Sequence, residues 1–124
     1  MTNTISGAPP DDMLNEKLLE QYAELMGYEG MSEMYEAFAE NIGGYLALLR
    51  RLFDERDYTE SKRQAHKMKG ACRSVGLKQL ASRMEYLERE SWNWDEASQM
   101  IEQWATELPL HQLHLKRWLN ARRI

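Results

Sequence analysis

Residues 61–84 read SKRQAHKMKGACRSVGLKQLASRM, and the reading of this stretch decides the fold. It holds one histidine, seven Lys or Arg and no acid. The whole chain has 16 basic and 20 acidic residues, so nine bases face twenty acids elsewhere. A basic island sits in an acidic protein. At about 100° per residue, a helix over residues 59–75 sorts these side chains onto two faces. Thr59, Lys62, Arg63, His66, Lys69, Gly70 and Arg73 form a polar stripe, and Ala65, Met68, Cys72 and Val75 the apolar stripe opposite, with Ser61 and Gln64 at its margins. His66 and Lys69 are therefore expected on the wet face.

The second half of the stretch supplies a partner for the imidazole. Gly76 suits the position that ends a helix, and LKQLASRMEYLERE begins a new apolar period at once. Leu77, Leu80, Ala81, Met84 and Leu87 share one stripe, and Glu88 falls on it. His66 lies ten residues before Gly76 and Glu88 twelve after it. At 1.5 Å per residue they stand about 15 and about 18 Å from the turn, so an antiparallel hairpin brings them level. A carboxylate that accepts from Nδ1–H holds the tautomer in which Nε2 keeps its lone pair, and stabilises positive charge on the ring after attack. The bland alternative makes His66 plain surface and Glu88 a boundary carboxylate. Against it stands Gly70, four residues after His66, which removes a side chain that would crowd the ring. A glycine inside an exposed helix costs roughly 1 kcal/mol relative to alanine, and access for a second protein explains its presence.

The run Ala65-His66-Lys67-Met68-Lys69-Gly70, followed by Gly76, Leu80, Leu87 and Glu88, resembles the signature of histidine-containing phosphotransfer (HPt) domains. More narrowly, HKMKGACRSVGLKQL, with LLEQYAELMG near the start and LKRWL near the end, is similar to the C-terminal HPt modules of Arc-type (anoxic redox control) hybrid sensor kinases, a likeness that covers nearly all of residues 17–119. The resemblance implies a phosphorelay intermediate of a bacterial two-component system. His66 would accept a phosphoryl group from a receiver-domain aspartate of a hybrid sensor kinase and pass it to an aspartate in a response-regulator receiver, of Arc type if the likeness extends to the pathway. Lys69 would balance phosphate charge, Glu88 would hold the ring, Gly70 would keep the approach clear, and Arg73, Arg63 and Lys67 would serve docking. The receiver would bring Mg²⁺, and this chain no cofactor. Two positions depart from the pattern. Arc-type modules carry glutamine where Glu88 stands, although many other HPt domains have glutamate, and Pro109 is atypical in the last helix.

Composition sets the outer bounds. At 124 residues, 43% hydrophobic and 29% charged, one domain with a modest core is expected. No uncharged run approaches the roughly 20 residues that span a bilayer, and the N-terminus lacks signal-peptide features, so a cytoplasmic monomer with no membrane contact is expected. The single cysteine, Cys72, reads as core packing in a reduced compartment. Residues 1–11 read as a flexible lead, 12–120 as the bundle and 121–124 as a basic tail.

Within the bundle, Met13 or Leu14, Leu18, Tyr22, Leu25 and Met26 mark a short first helix stopped by Gly27. Gly30 and Ser32 then open a longer one to about Glu55, with Met34, Tyr35, Phe38, Ile42, Tyr45, Leu49, Leu52 and Phe53 inward and Gly43-Gly44 as a bend. That stripe reads as core, its edge joining a docking surface beside His66 in the family reading. Residues 91–96, SWNWDE, offer caps for a last helix whose apolar face is Met100 or Ile101, Trp104, Leu108, Leu115, Trp118 and Leu119, kinked at Pro109. Strand alternation is absent. The expected fold is all-α, an up-down-up-down four-helix bundle with a short extra N-terminal helix.

Other chemistries fare poorly. His111 and His114, three apart, have no third ligand at metal spacing and are expected at the surface. There is no Walker A loop, no G-x-G-x-x-G and no set of kinase motifs, so the chain is expected to carry phosphate without an ATP site, not as an enzyme. Net acidity and the lack of a recognition module argue against nucleic acid. The competing class is a helical adaptor that docks partners without phosphate, and the intact His66, Lys69 and Gly70 set argues against it.

Overall fold

The computed structural model describes residues 13–122, which form four helices and no strand. These are α1 (Glu16–Asp54), α2 (Tyr58–Ser74), α3 (Lys78–Arg89) and α4 (Trp94–Ala121). Connections of a few residues force successive helices to run antiparallel, and α1 also meets α4, which closes a four-cornered bundle. The expected lead over residues 1–11, and Arg123 in the expected tail, lie outside the described residues.

Each start has a capping side chain or a turn that replaces one. Asn15, Asp57 and Asn93 accept from the backbone N–H groups of Leu18, Glu60 and Glu96 at 3.1, 3.1 and 2.8 Å, opening α1, α2 and α4. α3 has no side-chain cap. It starts from the turn that ends α2, where Gly76 at φ +78° lets Leu77 N–H reach Cys72 O (2.9 Å) and Gly76 N–H reach Arg73 O (3.1 Å). This is the Schellman pattern, and it needs a residue that tolerates a left-handed backbone. The Gly76 carbonyl in turn accepts from Asn15 N–H at 2.8 Å, tying the chain's entry to the α2–α3 turn.

The expected break at Gly27 is present as a single residue at φ 70°, ψ 179°; helix resumes at Tyr28, so the separate start expected at Gly30 and Ser32 does not exist. α1 is thus a short segment over 16–26 and a long one, joined without a loop. Leu25 is 82% exposed and Met26 lies on the surface too, because Leu19, not the expected Leu18–Leu25 line, is the residue the short segment buries. Helix continues through Gly43-Gly44 and through Pro109. Pro109, the position of the expected kink, lies inside α4 on its exposed side, where the backbone carbonyl its ring orphans can bond to water.

The core contains the expected apolar stripes and some unexpected members. Trp104, Leu49, Met68, Leu80, Met84, Ile101 and Leu115 are all but fully buried, joined by Met31 and Leu46 from α1. Burial pushes the Cys72 thiol up to about 12, which keeps it an inert packing group. His111 and His114 are buried, correcting the surface expectation. His111 fills the step between Leu108 and Leu115 on the inward stripe of α4, a gap that helical periodicity alone already required to face the core. Among the described residues no group of three or more His, Cys, Asp or Glu could hold a metal ion.

Candidate functional site

α2 and α3 form the tightest pair in the bundle, and the site lies along their seam. His66 stands on α2 with its side chain 66% exposed. From α3, Glu88 reaches across so that its Oε2 lies 2.8 Å from His66 Nδ1. With the ring proton on Nδ1, the imidazole donates to the carboxylate and Nε2 is left with its lone pair. The hairpin arithmetic that put these residues level is realised as a hydrogen bond.

The other carboxylate oxygen is also occupied. Lys69 Nζ lies 2.5 Å from Glu88 Oε1. The ammonium beside it, and secondarily His66, hold the Glu88 carboxyl below its ordinary range against the opposing effect of desolvation. Lys69 is not on the wet face: its side chain is only 5% exposed. The helical wheel placed it correctly around α2, but α3 packs over that flank. Glu88, at 22% exposure, is the carboxylate that makes the burial of an ammonium tolerable.

Lys62 was one more cation on a polar stripe in sequence, and the structure gives it a definite place. Its Nζ lies 3.3, 3.2 and 2.6 Å from the carbonyl oxygens of Leu87, Glu88 and Glu90, at the C-terminal end of α3. No sequence signal marks this contact, because a lysine four residues before a histidine says nothing about another helix's carbonyls.

The remaining candidates surround the ring in distinct ways. Arg63 pairs with Glu60 (2.7 Å), Arg73 with Glu85 (2.8 Å), and Lys67 Nζ sits 4.6 Å from the centre of the Tyr45 ring of α1. Gly70 is exposed, and a Cβ built there meets nothing within 4 Å, so packing within this chain does not require glycine. An open groove of about 560 Å³, lined by Tyr58, Thr59, Lys62, Arg63, His66 and Glu88, runs beside the ring. An exposed nucleophilic nitrogen, oriented by a carboxylate and bordered by open surface, suits a reaction with a group delivered by another molecule.

Comparison with known proteins agrees with the geometry. The Hpt domain family model matches residues 33–116. The aerobic respiration control sensor protein ArcB of Escherichia coli (strain K12) is 28% identical over 119 residues, 94% of this chain and 15% of that protein. The sensor histidine kinase AruS of Pseudomonas aeruginosa is 30% identical over 81 residues, 65% of this chain and 8% of that protein. The chain thus spans a small fraction of the length of these curated relatives. Among solved structures, the histidine-containing phosphotransfer domain of ArcB from Escherichia coli aligns with a TM-score of 0.78 at 28% identity, covering 90% of this chain and 96% of that one. Its solution structure gives 0.79, at 89% and 90% coverage. A family match running from the long first helix into the last, on a chain whose bundle superposes on a phosphotransfer domain over nearly its whole length, places the protein in the Hpt domain family, the histidine-containing phosphotransfer modules that carry phosphoryl groups in two-component signalling.

Proposed function

We propose that His66 is the phosphoacceptor, and that the chain relays phosphate between a receiver domain of a hybrid sensor kinase and a response-regulator receiver. The observation that carries this reading is the 2.8 Å contact from Glu88 Oε2 to Nδ1 of a ring whose other edge is open to solvent. In the forward step the Nε2 lone pair attacks the phosphorus of an aspartyl phosphate. A P–N bond forms as the P–O bond to the aspartate breaks, and the carboxylate leaves with the electron pair. The ring then carries positive charge, which Glu88 stabilises through the shared Nδ1 proton. Delivery to the second receiver reverses these bond changes.

Lys69 fixes the carboxylate and offsets the charge of the incoming phosphate. Gly70 leaves the surface bare for the partner, a role supported by the empty space around it. Arg63, Lys67 and Arg73 meet the acidic receiver site, Arg63 and Arg73 by exchanging their present carboxylate partners for the receiver's. Mg²⁺ belongs to the receiver, and this chain contributes the nucleophile and its orientation. It acts as a cytoplasmic monomer, and the ArcB likeness points to an Arc-type regulator as recipient.

The test uses a receiver domain labelled on its aspartate, mixed with the protein or with His66→Gln. Acid-labile label is expected on the unaltered chain and absent from the variant. Label that persists on His66→Gln removes His66 from the role, and a chain never labelled by any receiver leaves the adaptor reading in its place.

A further inference from the structure

We propose that Lys62 is a positioning residue for phosphotransfer: it anchors the C-terminal end of α3, and with it Glu88, at the height where the carboxylate meets His66. This rests on the reading of His66 as phosphoacceptor and adds a residue that acts on it only through another.

The last carbonyls of a helix have no partner within it. Lys62, reaching from α2, places its three-donor ammonium within 3.3 Å of two of them, the Leu87 and Glu88 oxygens, and of the Glu90 oxygen just past the helix end. Trp92 Nε1 adds a bond to the Leu87 oxygen at 2.8 Å. The ammonium is itself held in place, 4.9 Å from the centre of the Tyr58 ring and 5.3 Å from that of Trp92. A cation at this end of a helix also complements the helix dipole. Glu88 is thereby gripped twice from α2, at its backbone by Lys62 and at its side chain by Lys69.

The geometry makes the backbone grip matter. A hydrogen bond of 2.8 Å lengthened by 1 Å is no longer one. If the end of α3 frays, the ring loses the acceptor that holds its proton on Nδ1, and Nε2 is protonated in part of the molecules. A protonated Nε2 cannot attack phosphorus.

The experiment compares the full chain with Lys62→Met, which keeps the apolar stem and removes the ammonium, Lys62→Arg, which restores a cationic donor, and Lys62→Gln. Ring ¹⁵N spectra of His66 at neutral pH report the tautomer. Labelling by phosphoramidate, which needs no receiver, reports the reactivity of Nε2. Lys62→Met is expected to shift the ring toward the Nε2–H tautomer and to slow labelling about tenfold, with Lys62→Arg near the original in both. If Lys62→Met does not melt cooperatively, Lys62→Gln decides by the same two readouts. An unchanged tautomer and rate overturns the proposal. A slowed rate with an unchanged tautomer also overturns it, because Lys62 would then act on the phosphate directly. Persistent labelling of His66→Gln would sink the phosphoacceptor reading instead, while the tautomer spectra would still report on Lys62.

Discussion

At the scale of single residues, Glu88 is the centre of the site, although His66 is the proposed phosphoacceptor. Its two oxygens serve two groups in different ways, Oε2 orienting an exposed imidazole and Oε1 neutralising a buried ammonium. Glu88→Gln separates these duties. The amide oxygen can still accept from Nδ1–H, but a charge-assisted bond is roughly twice as strong as a neutral one. A loss of about 1 kcal/mol in stabilising the charged ring corresponds to some fivefold in transfer rate. Lys69, at 5% exposure, would lose its counter-charge, and a urea melt should show a loss of about 1–3 kcal/mol. A variant slower in transfer yet as stable as the original would mean that Lys69 does not depend on Glu88.

At the scale of elements, the α2–α3 hairpin sets the site's register, and Gly76 sets the hairpin. Its φ of +78° suits the Schellman turn, and a Cβ added there would lie 2.8 Å from Leu19 Cδ2. Gly76→Ala therefore meets two obstacles at once, a left-handed backbone and the side chain by which the first helical segment docks. Left-handed strain in a non-glycine residue alone costs of order 1–3 kcal/mol. We expect the melting temperature to fall and labelling of His66 to slow with it, since the turn sets where Glu88 lies along α2. Gly70→Ala makes the contrast, because it meets nothing within 4 Å in this chain. Gly76 was legible as a turn from the restart of apolar periodicity after it, but its contact with Leu19 was not.

At the scale of the molecule, three carboxylates held below their ordinary range each tie two helices together. Lys69 lowers Glu88 across α2 and α3, Arg50 lowers Glu102 across α1 and α4, and Arg122 lowers Glu20 across the end of α4 and the start of α1. A carboxyl depressed in the folded state contributes stability that is complete above its unfolded value, about 4.3, and is lost as pH falls through the folded value. Thermal melts should be nearly flat from pH 7 to about 5 and decline steeply below about 4. Glu102 and Glu20 are mostly exposed, at 61% and 56%, so solvent screens them and Glu88 should dominate. Glu88→Gln should flatten the decline, and an equally steep decline in that variant would count against the assignment. The apolar stripes of α2 and α3, the Gly27 and Gly76 breaks and the level pairing of His66 with Glu88 were determined by the sequence alone, because 3.6-residue periodicity and rise per residue are properties of one chain segment. Tertiary structure decided that Lys69 is buried, that Lys62 caps a helix other than its own, and that His111 and His114 face the core. A helical wheel gives the direction in which a side chain leaves its own axis; which neighbour lies there, and how closely, depends on the packing of the other helices.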